Sequence, residues 1–337
     1  MEILKNYDLT KLNTFGIRVK SKFFIEIKKE EDLKNLFTSL EFKNNEKLFL
    51  GGGSNILFTK NFDGIVVLNK LKGIEIISED NDHVFIKSMG GELWHDLVTF
   101  VVERGYWGIE NLSLIHGTVG AAPIQNIGAY GTELKNILES VEAYDITTGE
   151  KKVFSNEECK LGYRDSIFKN ELKGKYFISV VIFKLNKMPN LNISYKILKD
   201  YFEKNNIEAK SVKDISNAVI NIRQSKLPNP KILGNAGSFF KNVYVDSKKL
   251  AELKLEYPDV PSFEEDGEIK IPAGWLIEKC GWKGKRVGNV GVHDKQALVL
   301  INYGGASGEE IKNLAEQIID SVFEKFGLKL EAEVNIV

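Results

Sequence analysis

The sequence predicts a fold of mixed helices and strands that is not of the Rossmann type, and three observations carry that expectation. A β-α-β unit over residues 23–50 delivers the chain to a turn of three consecutive glycines, Gly51, Gly52 and Gly53, followed by Ser54 and Asn55. No Gly-Lys-Ser/Thr follows this turn, which excludes a Walker loop, and 56–58 does not read as a helix starting on the last glycine, which disfavours a Rossmann fingerprint. Three strands in succession come next instead, and a long capped helix near the end runs into a final alternating strand.

Within the β-α-β unit, residues 23–27 and 47–50 read as strands. The helix 31–40 between them carries Leu33, Leu36, Phe37 and Leu40 on one face. After the glycine turn, 65–68, 74–77 and 84–87 are apolar runs, each preceded by a Gly or Asn-Asp break. A helix over 92–104 buries Leu93, Leu97, Phe100 and Val101 and stops at Gly105. The segment 115–131 has no lasting period and is dense in glycine, alanine and amides. Residues 138–146 and 152–154 form a hairpin, and 177–185 is a long β-branched strand. Residues 188–209 read as a loop holding one short helix with Ile197, Leu198, Tyr201 and Phe202 as its stripe. A longer helix follows, with Asp214 as N-cap and Ile215, Ala218, Val219 and Ile222 buried, ended by Pro228 and Pro230. Residues 271–278 open a further helix, and 296–302 reads as a buried strand. Ser307 and Glu310 form a capping box for the last helix, whose apolar face is Ile311, Leu314, Ile318, Val322 and Phe326 and whose stop is Gly327. Residues 328–337 alternate as a final strand that sets Glu331 and Glu333 on one face.

Composition narrows the function. With 337 residues, 43% of them hydrophobic, the chain can bury a core and divides into two or three domains. A net charge of −1 without basic runs argues against nucleic acid as a partner. The charged N-terminus lacks a signal-peptide core and no apolar run reaches membrane length, so a soluble cytoplasmic protein with no membrane partner is expected. Cys159 and Cys280 are too few for a disulfide scaffold or a CxxC metal site, and no metal is expected. Lysine is the default cation here. The five arginines, Arg18, Arg104, Arg164, Arg223 and Arg286, therefore hint at places where a planar fork matters.

The chemistry-bearing stretches are the two glycine-rich segments. Glycine lets a ligand approach the main chain and lets successive N–H groups point at one anion. Two such segments in one half of the chain suit one elongated nucleotide lying across both. Ser238, within 234–242, lacks the spacing of a hydrolase elbow and an obvious histidine partner, so a serine nucleophile is not expected. A serine proton donor needs no such partner.

Taken together, NTFGI (13–17), GGGSNIL (51–57), GAAPIQNIGAYG (120–131), GYRDSIFK (162–169), KLPNPK (226–231), GNAGSFFKN (234–242), AGWLIE (273–278), QALVLIN (296–302) and LEAEV (330–334) resemble, in order and spacing, the UDP-N-acetylenolpyruvoylglucosamine reductases, the MurB family, in its first class with a tyrosine loop. His116, where proline is common, and Ala332, in LEAEV rather than LEPEV, depart from the pattern. The resemblance implies an FAD-binding α+β domain of the vanillyl-alcohol-oxidase (PCMH) type and a separate α+β substrate domain. The boundaries expected are 1–67 and 68–210 for two FAD-binding subdomains, 211–327 for substrate, and 328–337 returning to the first. It implies non-covalent FAD, NADPH as reductant, and UDP-N-acetylglucosamine enolpyruvate as substrate, in peptidoglycan precursor synthesis. The implied catalytic residues are Arg164 for the substrate carboxylate, Ser238 as proton donor and Glu333 as a supporting carboxyl group. FAD would be held by Gly51, Gly52, Gly53, Ser54, Asn55, Gly117, Gly120, Ala121, Ala122, Ile124, Gly128 and Arg223. Substrate would be held by Tyr195, Lys226, Asn242 and Gln296. Another flavin-dependent oxidoreductase of this fold, or a flavin-binding module without catalysis, is the competing reading.

Overall fold

The computed structural model describes residues 2–265 and 267–337, and the chain forms two compact units. The first comprises residues up to Tyr7, Ser21–Gly53 and Phe62–Ser225; the second comprises Asp8–Lys20, Ser54–Asn61 and Lys226–Val337. The chain passes from one to the other between Gly53 and Ser54, inside the glycine turn.

Besides the two-stranded pair Gly128–Ala129 and Thr132–Glu133, the first unit contains two main sheets. One has four strands in the order Leu4–Asp8, Lys20–Ile27, Phe62–Asn69 and Glu46–Leu50, the last three parallel. Its central strand Phe62–Asn69 is buried almost throughout, as a parallel strand flanked on both edges requires, hence the unbroken run Ile65, Val66, Val67 and Leu68. Helix Glu31–Thr38 covers this sheet with Leu33, Leu36 and Phe37. Leu40, expected on the same face, is 72% exposed. The reason is local: Ser39 turns extended and its Oγ accepts from Phe42 N, starting a second short helix, Leu40–Lys43, that buries Phe42 instead.

The other sheet is antiparallel, in the order Lys151–Ser155, Leu138–Asp145, Tyr176–Asn186, His83–Met89 and Ile74–Glu79. Helix Trp94–Glu103 packs Trp94, Leu97, Val98 and Val101 into a core shared with Val84, Ile86, Val181 and Phe183. Leu93, expected in that stripe, precedes the helix and is 48% exposed. Helix Val212–Lys226 adds Ile215, Ala218, Val219 and Ile222 to the same core. That helix starts three residues earlier than expected, so Asp214 lies in its first turn rather than at the cap. Its Oδ2 still accepts from the N–H groups of Lys210 and Ser211.

In the second unit, helix Gly308–Phe326 has the expected capping box and buries Ile311, Leu314, Ile318, Val322 and Phe326, with Gly327 at φ 63° behind it. A Cβ on Gly308 would lie 1.8 Å from Phe58 O, so only glycine lets the segment Ser54–Asn61 lie against the start of this helix. Two three-stranded sheets precede this helix in sequence, Val243–Val245 with Glu268–Ile271 and Phe263–Glu265, and Arg286–Val287 with Val290–Val292 and Leu300–Asn302. Asn13 braces its own loop, donating to Leu9 O and Ile17 O and accepting from Ile17 N. Phe15 O in turn accepts from Asn302 Nδ2 at 2.9 Å.

Both strands expected late in the chain are shorter than the apolar pattern suggests. In 296–302 a turn from Val299 N to Gln296 O leaves only Leu300–Asn302 regular. In 328–337 only Asn335–Ile336 is a strand, paired in parallel with Ile56–Leu57. Upstream, Ala332 makes a single bridge to Phe240.

Candidate active site

The two glycine-rich segments meet within the first unit, main chain against main chain. A Cβ on Gly52 would fall 2.9 Å from Gly117 Cα, and one on Gly51 would fall 2.2 Å from Thr118 Oγ1. Gly120 is as constrained: its Cβ would meet Gly90 Cα at 3.0 Å. Beside this contact runs a cleft of about 220 Å³ whose lining includes Gly51, Thr118, Gly120, Ala121 and Ile124, with Phe49, Phe168 and Phe177 as its aromatic wall. Lys47, Lys173 and Tyr176 also line it, and Thr118 Oγ1, buried in the wall, has no hydrogen-bond partner among the described residues. A cradle that a Cβ would fill, an aromatic wall and a buried hydroxyl without a partner fit part of a dinucleotide such as FAD.

Around the second glycine-rich segment lie four of the seven non-glycine residues found at positive φ among those described, namely Leu114 (56°), Asn126 (43°), Tyr130 (49°) and Arg164 (51°). Each such conformation costs on the order of 1–3 kcal/mol and persists only where surroundings enforce it. Named contacts do the enforcing. Leu114 N donates to His95 Nδ1 at 3.0 Å and Leu114 O accepts from Arg223 Nε at 3.2 Å. Asn126 Nδ2 donates to Gly162 O at 2.8 Å, Arg164 Nη2 to Gly128 O at 2.8 Å, and Ser166 Oγ to Ile124 O at 2.7 Å. These three bonds lace the Tyr-Arg-Asp loop onto the glycine-rich segment. Tyr130 pairs with Arg223 and stacks edge-on with Tyr195, ring centroids 5.8 Å apart. Desolvation holds the Arg223 pKa below the usual guanidinium range, the Tyr130 hydroxyl works against that, and the charge of Arg164 adds to it.

In the second unit, Ser238 and Glu333 lie on facing extended segments. Glu333 N donates to Phe239 O at 2.8 Å, and Ser238 bridges to Val299 on its other side. Asn55, expected on the cofactor diphosphate, donates from Nδ2 to Glu333 O at 3.3 Å and so supports the backbone of the carboxyl residue. Glu331 is exposed and paired with Lys241, which distinguishes the two late glutamates. Asn242 Oδ1 accepts from Ala273 N at 3.1 Å at the start of helix Ala273–Lys279, and Gln296 Oε1 accepts from Leu298 N at 3.4 Å. Lys226 is the last residue of helix Val212–Lys226 and is half-buried.

The structure thus collects Gly51, Gly52, Gly117, Gly120, Ala121 and Ile124 at or beside the cleft, and Gly128, Arg164, Tyr195 and Arg223 in one neighbouring cluster. Gly53, at φ 62°, and Ser54 complete the turn. Ala122 does not join them: it is 2% exposed and packs in the hydrophobic core. Sequence reading missed Thr118, Tyr130, Asn126 and His95. Only Asn126 carried a signal, since asparagine tolerates the left-handed region better than most residues. Among the remaining arginines, Arg104 and Arg286 lie over Phe100 and Tyr303 and Arg18 is exposed. Burial pushes the Cys159 thiol up to about 12, consistent with a packed, unreactive side chain.

A family model for an FAD binding domain matches residues 21–155, and one for the UDP-N-acetylenolpyruvoylglucosamine reductase C-terminal domain matches residues 229–337. Fold, cradle and these matches define an FAD-dependent oxidoreductase. UDP-N-acetylenolpyruvoylglucosamine reductase of Flavobacterium johnsoniae is 50% identical over 339 residues, and that of Amoebophilus asiaticus 49% over 338, each alignment covering 100% of both chains. The crystal structure of MurB from Thermus caldophilus shares the fold at a TM-score of 0.67 and 23% identity, over 99% of this chain and 98% of that one. The chain belongs to the UDP-N-acetylenolpyruvoylglucosamine reductase family. The α+β fold with an FAD-binding domain expected from the sequence is borne out.

Proposed function

We propose that this chain catalyses the reduction of UDP-N-acetylglucosamine enolpyruvate to UDP-N-acetylmuramate with NADPH as reductant. Full-length identity of 50% to an enzyme with this name is the observation that carries the reading. FAD, when bound, supplies the chemistry of taking hydride from NADPH and delivering it to the enolpyruvyl double bond. The Gly51–Gly52 and Gly117–Gly120 walls hold it, with Ile124 and Ala121 beside them. Arg223, fixed by Leu114 O and Tyr130, contributes positive charge nearby.

Reduction pushes negative charge into the substrate carboxylate, and that charge needs donors already in place. Arg164 meets this need with its planar fork, held by Gly128 O. Ser238 then gives its hydroxyl proton to the adjacent carbon, which is basic enough to take it. Glu333, its main chain pinned by Phe239 O and Asn55, supports that geometry. Tyr195, Lys226, Asn242 and Gln296 hold the sugar nucleotide, lysine as a point charge on phosphate. We infer a cytoplasmic location from the substrates, a sugar nucleotide and NADPH. Among the described residues no helix is long and apolar enough to cross a membrane.

The test is an anaerobic titration. NADPH should bleach the flavin absorbance and UDP-N-acetylglucosamine enolpyruvate should restore it. Bleaching that the substrate does not reverse refutes the substrate assignment, and absorbance that NADPH leaves unchanged refutes the reductant.

A further inference from the structure

We propose that the hydroxyl of Thr118 is a direct hydrogen-bonding ligand of the FAD diphosphate, and that position 51 is glycine to leave room for it. The proposal rests on the cleft being the FAD site. Thr118 is 6% exposed, and its Oγ1 has no partner among the described residues. A buried hydroxyl left unpaired costs on the order of 1–3 kcal/mol, a cost folded proteins rarely leave standing.

Thr118 is fixed by its neighbours. Trp94 N donates to Gly117 O at 3.1 Å, Val119 N to Glu92 O at 2.9 Å, and Ala121 N to Thr118 O at 3.1 Å. With the backbone held on both sides, the side chain is aimed at the glycine turn, as the 2.2 Å approach of a Gly51 Cβ to Oγ1 demonstrates. Lys47, Lys173, Tyr176 and Asn69 also line the cleft; of these Asn69 is committed, its Nδ2 donating to Ile178 O at 2.9 Å and its Oδ1 accepting from Leu71 N at 3.2 Å. Phe49, Phe168 and Phe177 suit a ring rather than a charged group. The place where main chain from two glycine segments and one spare hydroxyl come together is therefore the place for the diphosphate.

The test uses the full-length chain stripped of flavin and titrated with FAD, following quenching of FAD fluorescence. Thr118→Val and Thr118→Ala should each raise the FAD dissociation constant about tenfold, the usual loss for one hydrogen bond to a charged group. Thr118→Ser, which keeps the hydroxyl, should stay within twofold of the parent. The melting temperatures of the flavin-free proteins serve as the folding control. Binding within twofold for both hydroxyl-free variants overturns the proposal, as does equal weakening in the serine variant. Failure of the underlying reading looks different: Gly52→Val, which drives a side chain into the cradle, would then leave FAD affinity unchanged.

Discussion

Gly51→Ala tests whether the contact between the two glycine segments is as close as the structure states. The added Cβ meets Thr118 Oγ1 at 2.2 Å, whereas its next neighbours, Ala121 Cβ and Thr118 Cβ, stand at 3.4 Å, an ordinary contact. Nearly the whole penalty therefore comes from one atom, and overpacking of this kind costs about 1–3 kcal/mol. Threonine is β-branched and 6% exposed, so of its two other rotamers one puts the methyl into the same space and both must fit a packed wall. Removing the atom removes the clash: in Gly51→Ala with Thr118→Ala, stability should recover by about 1 kcal/mol or more relative to the sum of the single changes. Gly52→Ala is the contrast, because its Cβ meets Gly117 Cα at 2.9 Å, a backbone atom no side-chain substitution can delete. The assay is urea unfolding of the flavin-free protein followed by the fluorescence of Trp94 and Trp107, both buried in the first unit. A Gly51→Ala chain as stable as the parent, or one that Thr118→Ala fails to rescue, refutes the close approach.

Three further outcomes follow from the same geometry. Ser238→Ala should leave flavin reduction by NADPH nearly intact and slow reoxidation by substrate at least about a hundredfold in stopped flow; equal loss in both half-reactions removes the serine from its role. Arg164→Lys keeps the charge but loses the fork that reaches Gly128 O, so kcat/KM should fall about 10²–10³-fold with the flavin spectrum unchanged. Glu110 is 2% exposed, and burial raises its pKa above the ordinary 4.5 although the N–H of Gly108 donates to it. The folded chain thus holds this proton more tightly than the unfolded one, so its stabilising contribution is full below pH 4.5 and is lost as pH rises through the raised value; Glu110→Gln should flatten the fall of unfolding free energy above pH 4.5.

Much of the fold was legible because the physics that sets it is local. The capping box at Ser307 and Glu310, the stripe ending at Phe326 and the left-handed Gly327 each need only their own neighbours. The errors arose where a partner outside the segment decided the outcome. Residues 328–337 alternate like a strand, yet only Asn335–Ile336 finds a regular partner, because Ile56–Leu57 is itself two residues long. Leu40 fits the periodicity of helix Glu31–Thr38 and is exposed because the Ser39 hydroxyl caps a new helix one residue too soon.

The site was half legible for a different reason. Glycine advertises close approach in the sequence itself, so the cradle was visible; the atom that makes the approach close, Thr118 Oγ1, was not, since threonine has no such signature. Nor does any pattern announce that Leu114, Tyr130 and Arg164 adopt positive φ. Arg164 and Arg223 are near enough that one charge depresses the pKa of the other, and each is tied to a main-chain carbonyl, Gly128 O and Leu114 O. The planar forks of Arg164 and Arg223, each tied to a main-chain carbonyl, suit the negative charge that the proposed reaction brings and develops.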